Sequence, residues 1–291
     1  MTTNKTLLAW CLMFAFQVPS LAHTADTTFT LPINLKLGRE IKPFDEYLLD
    51  ATSERISIVT MGKGKSGRIL QNDTVRSALS GICAVAAVTE DGQEALKTIT
   101  IRNAQSRYQG AVTDIVQTGA KVKAQFSDVG NVYSIGDDTL SAEVTADLSG
   151  LIRSEGGQKS GRIMDPNRPV SPGDTWPIDT AAFAATLGPP PSTQKRIVKG
   201  SVTFTRIDTV NSVPIAVVTM DASAQHAFAE IEGMQAMNST VVAHIELYVP
   251  LDQRYPAVRV KSTTILGADV GEAGQTVHFD YHVTDDLEFR R

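Results

Sequence analysis

The feature that most constrains this chain is the length of its two-residue alternation. In residues 240–249, Val241, Ala243, Ile245, Leu247 and Val249 share one phase, and Val242, His244, Glu246 and Tyr248 share the other. In residues 277–284, Val277, Phe279, Tyr281 and Val283 alternate with His278, Asp280, His282 and Thr284. Successive side chains on a strand point to opposite faces, so such runs specify strands with one apolar face. One-sided burial is the mark of antiparallel sheets. The same period recurs, more briefly, in residues 56–61, 75–89, 121–126, 196–210, 215–224 and 257–266. In residues 96–102, Ile99 and Ile101 fall on one face. Turn chemistry separates the runs at Asp91-Gly92, Gly130-Asn131, Asn211-Ser212 and Pro250-Leu251-Asp252. The expectation is a mainly β protein with minor α. Its architecture reads as two tandem curved antiparallel meander sheets, half-barrel-like, with one helix between or beside them.

That helix is predicted over residues 140–152. Leu140, Val144, Leu148 and Leu151 recur at helical spacing, Ser141 or Thr139 can cap the start, and Gly156-Gly157 ends it. Residues 153–192 are rich in Pro and Gly and read as a connector, with Trp176 tucked into a core and a short helical stretch near residues 181–187. The domain reading is thus 23–152 as an N-terminal β half ending in a helix, 153–192 as connector, and 193–291 as a C-terminal antiparallel β half. A faint duplication runs through both halves, pairing Gly81 to Gln105 with Gly200 to Gln225.

Residues 1–22 read as a secretory signal peptide. Lys5 supplies the positive charge, residues 7–18 the apolar stretch, and Ser20-Leu21-Ala22 a cleavage site after Ala22. The apolar run is shorter than the roughly 20 residues a spanning helix needs, so no membrane span is expected after cleavage. The expected location is periplasmic or secreted. Cys11 leaves with the signal, and Cys83, in a run of small apolar residues, reads as a buried inert thiol. The formal net charge is −5, with 27 basic against 32 acidic residues, which argues against nucleic acid as a partner.

Few motifs carry chemistry. Gly64-Lys65-Ser66 lacks the earlier glycine of a phosphate loop, since Val59 stands there, and strand rather than helix follows. His278 and His282 have the i, i+4 spacing of a metal pair on a helix. On a strand that spacing is about 13 Å, too far for one ion. Asp137-Asp138 and Asp285-Asp286 sit by turns as solubilising charges. No nucleophile constellation stands out, so no catalytic residue, metal ligand or cofactor is assigned.

The most unusual segment spans residues 228–237. Phe228, Ile231, Met234 and Met237 recur three apart around Gly233, compatible with a short helix, a hairpin tip or an apolar lip. Methionine-rich surfaces adapt to varied apolar partners, so these four are the candidate ligand-binding residues. The signal sequence, the meanders, Ser171-Pro172-Gly173-Asp174-Thr175-Trp176 and the turn after Leu247-Tyr248-Val249-Pro250 together resemble bacterial exported β-rich proteins of unknown function. Architecturally the chain is similar to the half-barrel lipoprotein carriers of the periplasm. That resemblance implies a curved sheet sheltering acyl chains and transfers no site residue. The leading expectation is a non-enzymatic exported binding protein for a hydrophobic small molecule or lipid. An envelope protein–protein scaffold and a hydrolase with a dispersed site are the alternatives.

Overall fold

The structure is a computed structural model that describes residues 30–37, 41–62, 67–90, 92–127, 130–154, 158–187, 194–210, 212–231, 234–252, 259–272 and 275–290. The signal segment 1–22 and the Gly64-Lys65-Ser66 motif lie outside the described residues.

The N-terminal meander comprises β1 (Glu46–Met61), β2 (Arg68–Val88), β3 (Glu94–Tyr108), β4 (Ala111–Asp114), β5 (Lys121–Ser127), β6 (Gly130–Ile135) and β7 (Asp138–Thr139). Three helices and a short strand follow: α1 (Ala142–Leu151), α2 (Gln158–Met164), β8 (Thr175–Pro177) and α3 (Thr180–Thr186). The second meander comprises β9 (Ile197–Val210), β10 (Val213–Gln225), β11 (Glu230–Ile231), β12 (Met234–Pro250), β13 (Arg259–Glu272) and β14 (Gln275–Arg290).

The mainly β class with minor helix is what the alternation specifies. The two meanders, however, are joined as one 14-stranded sheet, ordered β7-β6-β5-β3-β2-β1-β14-β13-β12-β10-β9-β8, with β4 on β3 and β11 on β12. The sheet is curved and not closed. The join is the antiparallel pairing of β1 with β14, from Leu48↔Arg290 to Met61↔Val277. Each meander alone would leave a 16-residue strand at its edge. Pairing the two edges satisfies a long row of backbone N–H and C=O groups.

The apolar phases of all the long strands fall on one face of this sheet. Over its N-terminal part they pack with Leu148 and Leu151 of α1 into a core containing Leu49, Leu79, Ile99, Ile101 and Val122. Over its C-terminal part Phe204, Val218, Met220 and Val202 pack with Trp176 and Phe183. The cores exchange ends of the chain. Leu35 packs in the C-terminal core, held by the Ile33↔Val170 bridge, while Leu287 and Phe289 pack in the N-terminal one.

The helices have local causes. Ser141 caps α1, its side chain accepting from the Val144 N–H, and Asp179 caps α3, accepting from Ala181 and Ala182. Trp176 is buried, and its indole N–H donates to the Met164 carbonyl at 2.7 Å, tying the connector to α2. β2 remains one strand at Ser80-Gly81, where its register against β3 shifts.

Candidate functional site

The site lies on the helix-bearing face, where the two helical covers part. α1 packs on β1, β2, β6 and β14, and α3 packs on β9. Between them the same face carries Ile245 and Leu247 of β12, Thr264 and Leu266 of β13, and Tyr281 and Val283 of β14. Leu266 stands opposite Tyr281 and Thr264 opposite Val283, while Ile245 and Leu247 stand opposite Ser262 and Val260, and all six are half-buried. Tyr281 stacks on buried Phe279 with ring centroids 6.0 Å apart. The result is an apolar strip on an otherwise covered face.

A polar seam bounds the Leu266, Tyr281 and Val283 part of the strip and runs up to Ile245. Ser106, Ser77, Ser53, Asp285 and Ser262 are successive cross-strand partners on β3, β2, β1, β14 and β13. Four of the five are buried. Ser77 donates to Ser106 at 3.3 Å, and Ser262 donates to Asp285 Oδ2 at 3.3 Å. Arg153 donates to that same Oδ2. Ser53 Oγ and Asp285 Oδ1 are buried at opposing positions, each without a hydrogen-bond partner among the described residues. One position further along β1, on the same face, Arg55 pairs with Asp147 of α1. The strip therefore ends at two arginine–aspartate pairs whose arginine side chains are partly exposed, 35% at Arg55 and 40% at Arg153.

Arg153 is aimed by a buried network beneath it. The Lys97 ammonium donates to Glu94 Oε2 at 2.7 Å, to the Tyr47 hydroxyl at 2.9 Å and to the Arg153 carbonyl at 2.6 Å. Tyr47 in turn donates to Glu94 Oε1 at 2.8 Å. Lys97 and Glu94 are fully buried. Tyr133 donates to the Ile152 carbonyl and Ser154 to the Glu94 carbonyl. Burial pushes the Tyr133 phenol above its ordinary pKa, which keeps it protonated as that donor. Residues 152–154 are thus pinned by two sheet side chains, Tyr133 and Lys97, and by the Ser154 hydroxyl reaching back to β3.

The sequence-derived candidates are scattered rather than gathered. Phe228 packs against the C-terminal core and Ile231 against a small cluster of Ala236, Val270 and Phe279. Met234 opens β12, and its side chain lies outside the described residues. Met237 is 38% exposed. The segment forms the β11–β12 hairpin, whose pairs are Glu230↔Gln235 and Ile231↔Met234. Ile231 reaches Tyr281 through the shared cluster, so this hairpin borders one end of the strip.

His244, His278 and His282 lie on the opposite face, each beside an aspartate: His244 Nδ1 with Asp221 at 2.7 Å, His278 Nδ1 with Asp269 at 2.8 Å, and His282 Nε2 with Asp280 at 3.4 Å. Among the described residues no group of three His, Cys, Asp or Glu is placed to hold a metal ion. Cys83 is buried in the N-terminal core. No described helix is long and apolar enough to cross a membrane.

The seam is what sequence reasoning missed. Its traces are there: Ser53 interrupts the apolar phase Tyr47, Leu49, Ala51 of β1, and Asp285 sits between Val283 and Leu287 of β14. Only the register brings them together.

No protein-family model matches the chain, and no curated protein matches it in sequence. A solved structure of lipovitellin, concerning its lipid–protein interactions, is similar with a TM-score of 0.34 and 9% identity. The match covers 87% of this chain and 26% of that one, so the chain spans about a quarter of its length.

Proposed function

We propose that this chain is an exported, non-enzymatic binding protein that shelters an amphipathic, lipid-like ligand on the helix-bearing face of its sheet. The observation that carries this reading is the half-buried strip of Leu266, Tyr281 and Val283, with Ile245 at its β12 corner, ending at the Arg55 and Arg153 pairs. An apolar body lies along the strip, and a polar head meets the guanidinium groups. Sites of this kind are mostly apolar, with a few placed polar groups fixing orientation. Met237 and Ile231 border the far end as an adaptable lip. Export rests on the signal character of residues 1–22.

The test is binding of a fluorescent fatty acid, cis-parinaric acid, to delipidated protein. Losing a Leu-sized contact removes about 1.5–3 kcal/mol of apolar burial, roughly a tenfold or greater loss of affinity. Leu266→Gln and Val283→Gln should each weaken the probe by that amount while Trp176 fluorescence stays native. Met237→Ser should weaken it less. Equal binding by wild type and the two strip variants would sink the reading.

A further inference from the structure

The open face of the sheet carries a second feature, on the side away from the strip. A hollow of ≈ 510 Å³ opens over β1, β2, β3 and β14. Its origin is side-chain length. Ala78 and Thr52 are cross-strand partners on β2 and β1, and their short side chains form the floor between longer neighbours. Arg76 and Arg107 rise along one wall, and Gln105, Thr284 and Asp286 complete it, with exposed Val112 of β4 at the rim.

Arg76 and Arg107 are directly opposed across β2 and β3. Cross-strand partners have Cβ atoms about 4.5–5.5 Å apart, and like charges so placed repel. Glu54 answers one of them: Arg76 Nε donates to Glu54 Oε1 at 2.7 Å. The remaining acids near the hollow are engaged elsewhere. Asp286 accepts two bonds from Arg259, and Asp114 accepts from Gln105 Nε2 at 3.1 Å. Arg107 makes no hydrogen bond or ion pair among the described residues. Among the described residues the wall therefore presents one uncompensated guanidinium, and beside it a second whose terminal nitrogens are uncommitted. The volume falls within the roughly 300–1,000 Å³ of small-molecule sites.

We infer that this hollow binds a small free oxyanion, a phosphate- or carboxylate-bearing molecule, held by Arg107 and Arg76. Planar guanidinium groups match such oxygens with paired, charge-assisted N–H donors. An anion between the two arginines also relieves their repulsion. Glu54 competes for Arg76, so its removal frees donors for the ligand.

Titration of the full chain with inorganic phosphate, followed by amide chemical shifts, tests this. Saturable binding is expected, with shifts centred on residues 76–78 and 105–107. Arg107→Gln should weaken it roughly tenfold to a hundredfold, the worth of a charged hydrogen bond. Glu54→Gln should tighten it. Arg107 and Glu54 are surface groups, so both variants should keep the wild-type circular dichroism. Absence of saturation in the wild type, equal affinity in Arg107→Gln, or shifts centred elsewhere would each overturn the inference.

Discussion

Lys97 is fully buried and occupies the same strand phase as Ile99 and Ile101. Each of its three N–H groups has an acceptor, and the ammonium also lies 5.6 Å from the Tyr47 ring centroid and 5.3 Å from that of Phe126. Removing the cation alone leaves Glu94 charged, buried and short of a partner. Lys97→Met should therefore cost about 3–5 kcal/mol of stability, read by urea denaturation, while adding Glu94→Leu should recover much of the loss. A double variant no more stable than the single one would contradict this account. The alternation of residues 96–102 already put Lys97 on the apolar face. What it could not supply was the partner, because Tyr47 is 50 residues away and reaches Lys97 only through β2. The site arginines are illegible for the same reason. Arg153 follows a helix in a connector, and only the pinned backbone of residues 152–154 turns it toward Asp285.

Elements were legible where one period ran unbroken. The long strands and α1 emerge from their spacing. The β11–β12 hairpin does not, because Phe228, Ile231, Met234 and Met237 repeat at a helical interval. The register of β12 against β13 shifts between Ala236 and Asn238. This bulge leaves Ala236 buried and Met237 exposed, breaking the two-residue rhythm. Helix α2 was hidden by its polar start and the glycines before it. Close approach at the glycines shared by the two meanders is also an element-scale property. A Cβ on Gly200 would sit 2.6 Å from the Asp221 carbonyl oxygen and 2.8 Å from Ile178 Cδ1. A Cβ on Gly81 would sit 2.8 Å from the Thr100 carbonyl oxygen. Gly200→Ala should therefore destabilise the fold by about 1–3 kcal/mol, the usual cost of overpacking, with thermal unfolding as the measurement. A neutral result would mean that β9 and β10 can move apart freely.

At the scale of the molecule, sequence patterns divided the chain into halves, and backbone pairing unites them. The β1–β14 ladder joins residues 48–61 to 277–290, a separation that no local pattern encodes. The shared sheet predicts shared unfolding. Leu49 lies in the N-terminal core and Trp176 in the C-terminal one. Leu49→Ala should cost about 2–5 kcal/mol and shift the denaturation midpoint seen by Trp176 fluorescence as far as that seen by circular dichroism. A Trp176 transition indifferent to Leu49 would show that the halves unfold apart.

The position of β14 also bears on how the sheet is completed. The strand made after all the other described ones takes its place in the middle of the sheet, between β1 and β13. Without it, β1 and β13 would each hold a raw hydrogen-bonding edge open. β14 is thus the keystone of the sheet, closing an edge of each meander and locking the two cores into one body.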